Sequence, residues 1–232
     1  MNVQQFRLDN LFFRAVCSFM SNLRVEMMEL GPIGTNAYLI WEDGKPDATM
    51  VDAPIDCGVW LNDLLEENEL VLRSIWLTHG HWDHIGGIGE LNLDGVDVLG
   101  HADDKVMFEN PAIMSAFAIP GIEFTPVSIT KWLEDGEIFE SWGRKVRVDH
   151  CPGHCPGNII FTIESEKISF VGDVIFKRSV GRADLPGGDF SLLEQSIRDK
   201  VYVLDEANIL YPGHGPTTTV GEERRSNPFV RP

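Results

Sequence analysis

The stretch Thr78-His79-Gly80-His81-Trp82-Asp83-His84 follows directly on an apolar run at residues 70–77. A continuous apolar run of this length predicts a buried strand, so the histidines and the aspartate lie in the loop at its end. Imidazole nitrogens and carboxylate oxygens are ligands of divalent metal ions. Because an HxHxDH run after an apolar strand has few structural uses, the stretch predicts a metal site.

Three further loops carry ligand residues at the ends of predicted strands. Each of these residues stands directly after a glycine: His154, Asp173 and His214. Loops at strand ends are where a rigid scaffold presents reactive groups, and glycine lets the backbone turn sharply beside a ligand. We therefore expect these loops to converge on residues 79–84.

The spacing inside the 79–84 loop suggests that it serves two cations. In an extended loop, side chains two residues apart face the same way, so His79 and His81 can share one cation. Asp83 and His84 then turn towards a second. A carboxylate bridges two cations well because each oxygen can bind one metal, and Asp173 is the candidate for that bridge.

The remaining histidines and cysteines receive other interpretations. His101 is interpreted as an ordinary hydrogen-bonded histidine, and His150 as a residue that packs beside a ligand or supports it. Cys151 and Cys155 flank His154, but no second cysteine pair completes a closed thiolate site. We interpret both as reduced, partly buried thiols.

Length and composition are those of an ordinary globular protein. With 232 residues, of which 43% are hydrophobic and 24% charged, the chain predicts one domain over residues 23–232. Residues 1–22 lack clear periodicity and are expected to be an N-terminal extension, with a misassigned start or a poor signal peptide as alternatives.

The net charge of −17 argues against nucleic acid as a partner, because a polyanion is repelled by such a surface. Bound cations would neutralise part of this charge.

No apolar run approaches the roughly 20 residues of a membrane span, so no membrane association is expected. Four irregularly spaced cysteines do not form a disulfide framework, and the cytoplasm is the expected location.

Apolar periodicity predicts strands that alternate with helices. The predicted strands lie at residues 25–30, 37–41, 48–51, 70–77, 145–149, 158–163, 167–171 and 207–211. The predicted helices lie at residues 58–70, 102–108 and 190–204. This order of elements predicts a layered α/β (α+β) sandwich.

Residues 110–130 carry three prolines and few charges, which is typical of a lid or a substrate loop. The apolar side chains of Ile113, Met114 and Phe117 are candidates to line a pocket. We expect them instead to be buried against the core, the usual position of apolar residues.

In their order and spacing, the HxHxDH run at 79–84, Gly153-His154, Gly172-Asp173 and Gly213-His214 resemble the metallo-β-lactamase superfamily, over residues 25–232. This resemblance implies a four-layer αββα sandwich with a two-metal site at one edge of the paired sheets. It also implies a ligand set for each ion: His79, His81 and His154 for the first, Asp83, His84 and His214 for the second, and Asp173 as the bridge.

The resemblance also gives a role to Asp52, which follows the strand at 48–51. At the matching position the family has a residue that supports the site by hydrogen bonding to the ligand loop. A turn-capping aspartate is the alternative interpretation.

Within the superfamily, residues 172–176, 179–189, 211–219 and 222–229 resemble the glyoxalase II-like branch. That branch hydrolyses thioesters such as S-lactoylglutathione. Longer members continue into a helical domain that helps to hold glutathione, whereas this sequence ends soon after Asn227-Pro228-Phe229. The carrier part of the substrate is therefore left open.

The resemblance predicts hydrolysis of a small-molecule thioester by a hydroxide that two divalent ions share. Zinc is the expected metal, with iron or manganese as alternatives. Asp83 and Asp173 are the expected catalytic carboxylates, Asp83 mainly as a ligand with a role in proton handling. The candidate contacts for an acidic thiol carrier are Lys177, Ser179 and Arg182.

Three alternatives remain at this point. A persulfide dioxygenase with a single iron shares the histidines and Gly181-Arg182, although residues 184–188 favour the hydrolase. A lactonase or a β-lactamase is the second, but typical β-lactamases replace part of the second ligand set with cysteine. A binding protein that keeps its metals without catalysis is the third.

Overall fold

The computed structural model describes residues 22–232, so the expectations for residues 1–21 lie outside the described residues. The first of two six-stranded sheets contains, side by side in chain order, β1 (Leu23–Leu30), β2 (Thr35–Glu42), β3 (Asp47–Val51), β4 (Val71–Trp76), β5 (Asp97–His101) and β6 (Lys131–Leu133). The second contains, in spatial order, β14 (Thr218–Thr219), β13 (Ile209–Pro212), β10 (Ile168–Gly172), β9 (Ile159–Ile163), β8 (Arg144–His150) and β7 (Ile138–Ser141).

Helices and a small ribbon complete the described chain. The α-helices are α1 (Cys57–Glu67), α2 (Trp82–Ile85), α3 (Lys105–Glu109), α4 (Phe190–Ser196) and α5 (Val220–Ser226). The chain continues from α4 into a π-helical turn at Ile197–Val201, and 3₁₀ turns lie at Ile88–Glu90, Ala102–Asp104, Pro111–Phe117 and Glu164–Glu166. A two-stranded ribbon pairs β11 (Ile175–Phe176) with β12 (Ser179–Val180).

The four layers follow from the period-two alternation of side chains in the strands. In β2, Tyr38 and Ile40 face the second sheet, where they pack with residues of β8, β9 and β10. The residues between them face away, and Leu39 packs in the cluster that holds Leu61 of α1. On the outer side of the second sheet, Leu193 of α4 and residues of α5 pack against β9, β10 and β13. Helices therefore flank both sheets, and the α/β prediction is confirmed.

Eight predicted strands are confirmed as β1–β4, β8–β10 and β13, with shifts of one or two residues at their ends. The helix predicted at 58–70 is α1, and the one predicted at 102–108 is a 3₁₀ turn followed by α3. The helix predicted at 190–204 is shorter, because the chain is in turns after Val201. Six short strands had no prediction: β5, β6, β7, β11, β12 and β14.

Residues 111–117 correct one expectation. Met114 is buried as predicted, but Ile113 and Phe117 are 45% and 46% exposed, so the prediction that they are buried against the core was wrong. Met114 and Phe117 both line a surface cavity, and the ring of Phe117 is exposed to that cavity instead of being covered by the core.

The two sheets are joined at one edge by backbone hydrogen bonds. Asn36 N donates to Gly213 O at 2.7 Å, and Ile159 N donates to Thr78 O at 2.9 Å. Both bonds connect residues beside the predicted ligand loops. Among residues 22–232, no helix is long and apolar enough to cross a membrane.

Candidate metal centre

The 79–84 loop changes its backbone conformation halfway along. His81 is extended and directly precedes α2. Asp83 and His84 lie inside the single turn of α2, rather than in a loop that is extended throughout. The sequence analysis did not predict this helical turn, which brings the ring of His84 to 4.1 Å from that of His79, centroid to centroid.

Three imidazole nitrogens form the first group. His79 Nε2 lies 3.1 Å from His81 Nδ1, and His154 Nε2 lies 2.9 Å from the same His81 atom. All three residues are buried. The loop after β4 and the loop after β8 thus converge, as the sequence predicted, although they belong to different sheets.

A carboxylate and two histidines form the second group. Asp83 Oδ2 lies 3.3 Å from His84 Nε2 and 3.2 Å from His214 Nε2. Thr35 Oγ1 donates a hydrogen bond to the same carboxylate oxygen at 2.8 Å. The loop after β13 therefore contributes the third residue of this group.

Asp173 lies between the two groups. Its Oδ2 is 3.5 Å from His154 Nε2 of the first group and 3.6 Å from His214 Nε2 of the second. Its Oδ1 is 3.4 Å from His84 Nε2. A single carboxylate thus faces ligand atoms of both groups, which is the position that the bridge requires.

Hydrogen bonds on the far side of each ring decide which nitrogen faces the centre. His154 Nδ1 lies 2.7 Å from Arg182 O and His214 Nδ1 lies 3.0 Å from Gly34 O, and a carbonyl oxygen only accepts. His84 Nδ1 lies 2.7 Å from a carboxylate oxygen of Asp52. When Nδ1 of a neutral ring carries the proton, Nε2 presents a lone pair, so these rings aim lone pairs at one another and at carboxylates.

The same arrangement shifts the protonation equilibria in opposite directions. Burial and the neighbouring histidines lower the pKa of His79 well below its usual value, and burial together with His154 lowers the pKa of His81 to about 3. Burial also disfavours charge on His84, but the carboxylates of Asp83, Asp52 and Asp173 outweigh it and raise the pKa of His84 well above its usual value. The carboxylates therefore require positive charge among them.

Two buried atoms that face between the ligand groups, His84 Nε2 and Asp173 Oδ1, have no hydrogen-bond partner among the described residues. Leaving such atoms unpaired costs about 1–3 kcal/mol each. Divalent cations between the two groups would neutralise the carboxylates and accept the lone pairs. The residues present fit a centre for divalent metal ions.

Asp52 touches the ligand loop at two points. Besides His84 Nδ1, its carboxylate accepts hydrogen bonds from Thr78 N at 2.8 Å and from Thr78 Oγ1 at 2.8 Å. The Thr78 hydroxyl in turn lies 3.1 Å from His79 Nδ1. Asp52 thus contacts one ring of the centre directly and a second through Thr78, which is the arrangement that the family resemblance implied.

Asp104 is a buried carboxylate that the sequence analysis missed. It accepts hydrogen bonds from Gly80 N at 2.8 Å and Gly157 N at 2.6 Å, and Cys155 Sγ lies 3.2 Å from it. It therefore connects the loop of His79 and His81 to the loop of His154. No sequence motif marks it, since its partners are mainly backbone amides.

His150 lies outside the ligand groups. Its Nε2 lies 2.7 Å from Pro156 O, so it contacts the loop that carries His154 without touching a proposed ligand side chain. Its ring stacks on His101 with centroids 4.0 Å apart, and Asp103 Oδ2 lies 3.6 Å from His150 Nε2. Cys151 and Cys155 are free thiols, but the prediction that they are only partly buried was wrong, because each is packed inside an apolar cluster and fully buried. Burial raises the pKa of each well above its usual value.

A cavity of about 460 Å³ opens above the centre, and His81, Asp83, His154, Asp173 and His214 line its floor. Arg182 lines it as well, and its guanidinium forms a fork with Asp184 at 2.7 and 2.8 Å. Lys177 and Ser179 are not among the lining residues, and Lys177 Nζ lies 3.7 Å from Glu222.

The fold and the grouping of the ligand residues agree with a family match. The sequence profile of the metallo-beta-lactamase superfamily matches residues 30–214, which include all seven proposed ligands. The chain belongs to this superfamily. Its mixed α/β sandwich is the fold of its structural neighbours.

Relatives match almost their whole length. The hydroxyacylglutathione hydrolase GloC of Haemophilus influenzae is 38% identical over 213 residues, which cover 90% of this chain and 98% of the relative. The BLEG-1 B3 metallo-beta-lactamase superposes with a TM-score of 0.79 at 35% identity, covering 89% of this chain and 99% of that one. TTHA1623, solved in a di-iron-bound form, has a TM-score of 0.74 at 34% identity, with 89% and 100% covered.

Proposed function

We propose that this protein is a binuclear metal-dependent hydrolase of thioesters, with acyl thioesters of the S-lactoylglutathione type as first candidates. The observation that carries the proposal is the position of Asp173, whose carboxylate faces both groups of ligand atoms. The similarity to a hydroxyacylglutathione hydrolase over nearly the whole chain supports the choice of thioester.

Each proposed ion has its own set of candidate ligands. His79, His81 and His154 would hold the first, Asp83, His84 and His214 the second, and Asp173 would contact both. When bound, such ions acidify water towards neutral pH and polarise a carbonyl group. Zinc is the proposed metal because it accepts imidazole and carboxylate alike, but iron satisfies the same ligands, and the di-iron form of TTHA1623 supports testing it.

The residues of the chain orient these ligands and hold protons in defined places. The carbonyls of Arg182 and Gly34 keep the proton of His154 and of His214 on Nδ1, away from the centre. Asp52 does the same for His84. Asp83 accepts a hydrogen bond from Thr35 through the oxygen that faces the histidines, which fixes the orientation of this carboxylate. A thiolate leaving group is stable near neutral pH and requires little protonation.

Metal analysis combined with a substrate screen tests this proposal. Purified protein should contain two metal ions per chain and hydrolyse S-lactoylglutathione and other thioesters. Asp173→Ala should abolish hydrolysis and reduce the metal content, whereas Asp184→Ala, outside the ligand set, should keep both metals. One iron per chain with oxygen uptake on glutathione persulfide would instead identify a dioxygenase.

A second candidate function is β-lactam hydrolysis, which the similarity to the BLEG-1 B3 metallo-beta-lactamase favours. The second ligand group here consists of Asp83, His84 and His214, without cysteine. Ring opening of a β-lactam also places charge on a carbonyl oxygen, so the same centre suits it. Turnover of penicillins, cephalosporins and carbapenems by the metal-loaded protein, compared with thioesters, decides between the two.

A further inference from the structure

The lining of the cavity above the metal centre is largely apolar. Its eight apolar side chains are those of Ile33, Trp82, Met114, Phe117, Ile119, Phe176, Val180 and Leu185. Trp82, Met114 and Leu185 belong to one packed cluster, so this part of the lining has a fixed base. The ring of Phe176 meets His214 edge to face with centroids 5.9 Å apart, which places an apolar group directly beside a proposed ligand.

Several of these side chains gain contacts only when the cavity is filled. Ile33, Phe117 and Ile119 are 45%, 46% and 39% exposed, and they face one shared space above the centre. Clustered exposed apolar groups around a concave site mark a ligand-binding surface more often than scattered ones do. An apolar group of a ligand would remove this surface from water.

The charges around the cavity do not suit a highly charged carrier. Among residues 22–232, Arg182 is the one lysine or arginine that lines the cavity, and Asp184 already occupies its guanidinium. Lys177 and Ser179 are not part of the lining. Glutathione carries two carboxylates and one ammonium group, and the chain as a whole has a net charge of −17. Arg182, whose guanidinium already pairs with Asp184, is therefore a poor match for the two carboxylates of glutathione.

We infer that the preferred substrate is an acyl thioester with an aliphatic or aromatic acyl group on a thiol carrier that has at most one ionised group. The acyl group packs against the apolar lining, which includes the exposed side chains of Phe117 and Ile119. The inference rests on the proposed thioester hydrolysis and names its substrate class. Glutathione thioesters are accepted as poorer substrates with higher KM.

A series of acyl thioesters tests the acyl part. The zinc-loaded protein is assayed with the acetyl, butyryl, hexanoyl and phenylacetyl thioesters of N-acetylcysteamine, an uncharged carrier. Burial of each added methylene should raise kcat/KM by about fourfold, until the cavity is full. In a second comparison, the same acyl group on glutathione should give a kcat/KM no higher than on N-acetylcysteamine.

Two matched phenylalanine variants test whether the dependence on acyl length comes from the cavity lining. Phe117→Ala should flatten the dependence of kcat/KM on acyl length. Phe229→Ala replaces a similarly exposed phenylalanine, 53% against 46%, that is not part of the cavity lining, and should leave the series unchanged.

The outcomes separate this inference from the proposed function. An active enzyme with no dependence on acyl length, or with a clear preference for glutathione over N-acetylcysteamine, overturns the substrate class and leaves thioester hydrolysis standing. A metal-loaded protein that hydrolyses no thioester overturns both.

Discussion

At the scale of single residues, the sequence predicted the ligand side chains, but it did not predict with the same certainty the residues that hydrogen-bond to the ligand loops. The seven proposed ligands have sequence signals, since each is a histidine or aspartate in a loop at or just beyond the end of a predicted strand. Asp104 has none, because its role depends on the amides of Gly80 and Gly157, which any residue carries. Asp52 was left with two readings for the same reason, and only its distances to Thr78 and His84 favour one of them.

Replacement of Asp104 should weaken both the fold and the metal centre. In Asp104→Asn the amide nitrogen would face one of the backbone donors that the carboxylate now accepts. One buried unpaired donor costs about 1–3 kcal/mol, so the free energy of unfolding should fall by that amount. Metal affinity should fall by about 10- to 100-fold, the usual effect of losing such support.

Denaturant titration of the metal-free protein and zinc titration with a competing chelator measure the two effects. Asp94→Asn replaces an exposed carboxylate outside every group of candidate ligands, and this matched control should show neither effect. Zinc affinity equal to that of the unmodified protein would exclude the role of Asp104.

Gly213 gives a second prediction at this scale. A Cβ at this position would lie 2.1 Å from Asp173 Oδ1 and 2.6 Å from His84 Cε1, closer than van der Waals contact permits. Gly213→Ala should therefore displace the carboxylate that faces both groups and reduce bound metal from two ions to one or none. Elemental analysis of the purified variant measures this.

The matched control is Gly215→Asn, two residues later. Gly215 has a φ of +70° and nothing within 4 Å of a Cβ, and asparagine tolerates this conformation. It should retain both ions. A Gly213→Ala variant that also retained both would show that the loop moves without cost.

At the scale of elements, apolar strands were predictable and short ones were not. The strands β2, β9 and β10 are buried along their whole length, and such runs stand out in a sequence. The strands β11, β12 and β14 contain two residues each, too few for any period to appear. The single turn of α2 has only four residues, yet it orients Asp83 and His84.

An ion-pair cluster joins β2 of the first sheet to β8 of the second. Glu42 lies 2.9 Å from Lys45 Nζ and 2.8 Å from Arg144 Nη1, and Arg144 also pairs with Glu166. Hydrogen bonds from Lys45 and Arg144 lower the pKa of Glu42 from 4.5 to about 2. A carboxyl whose pKa falls on folding stabilises the fold above its unfolded value, and this contribution is lost as the pH drops from 4.5 towards 2.

Glu42→Gln should therefore destabilise the protein near pH 7, and the difference from the unmodified protein should shrink as the pH falls below 4.5. Urea unfolding at several pH values measures it. Glu67→Gln, at the exposed end of α1, is the control and should show no such convergence. A difference that stayed constant down to pH 3 would mean that the ion pairs contribute nothing.

At the scale of the whole molecule, the order of elements was enough to predict layers, but not which loops face one another. The proposed ligands come from both sheets: residues 79–84 follow β4 of the first, and His154, Asp173 and His214 follow strands of the second. The positions of these loops at strand ends predicted that they converge, but not which atoms approach one another, which the distances across the sheets give. A metal centre of this kind is also a cross-link between the halves of the sandwich.

Metal removal should therefore lower the stability of the whole fold. Ions bound to the folded state stabilise it by RT ln(1 + [L]/Kd), about 4 kcal/mol at a thousandfold excess over Kd. In their absence the carboxylates of Asp83 and Asp173 repel each other across buried space, with only protons on His84 and His214 to offset them. We expect Tm to fall by several degrees on chelation and to recover on addition of zinc, as measured by scanning calorimetry. The Asp173→Ala variant should show a much smaller shift, since it lacks the carboxylate that joins the two ligand groups. Equal Tm values for the chelated and zinc-loaded protein would show that the centre does not link the two sheets.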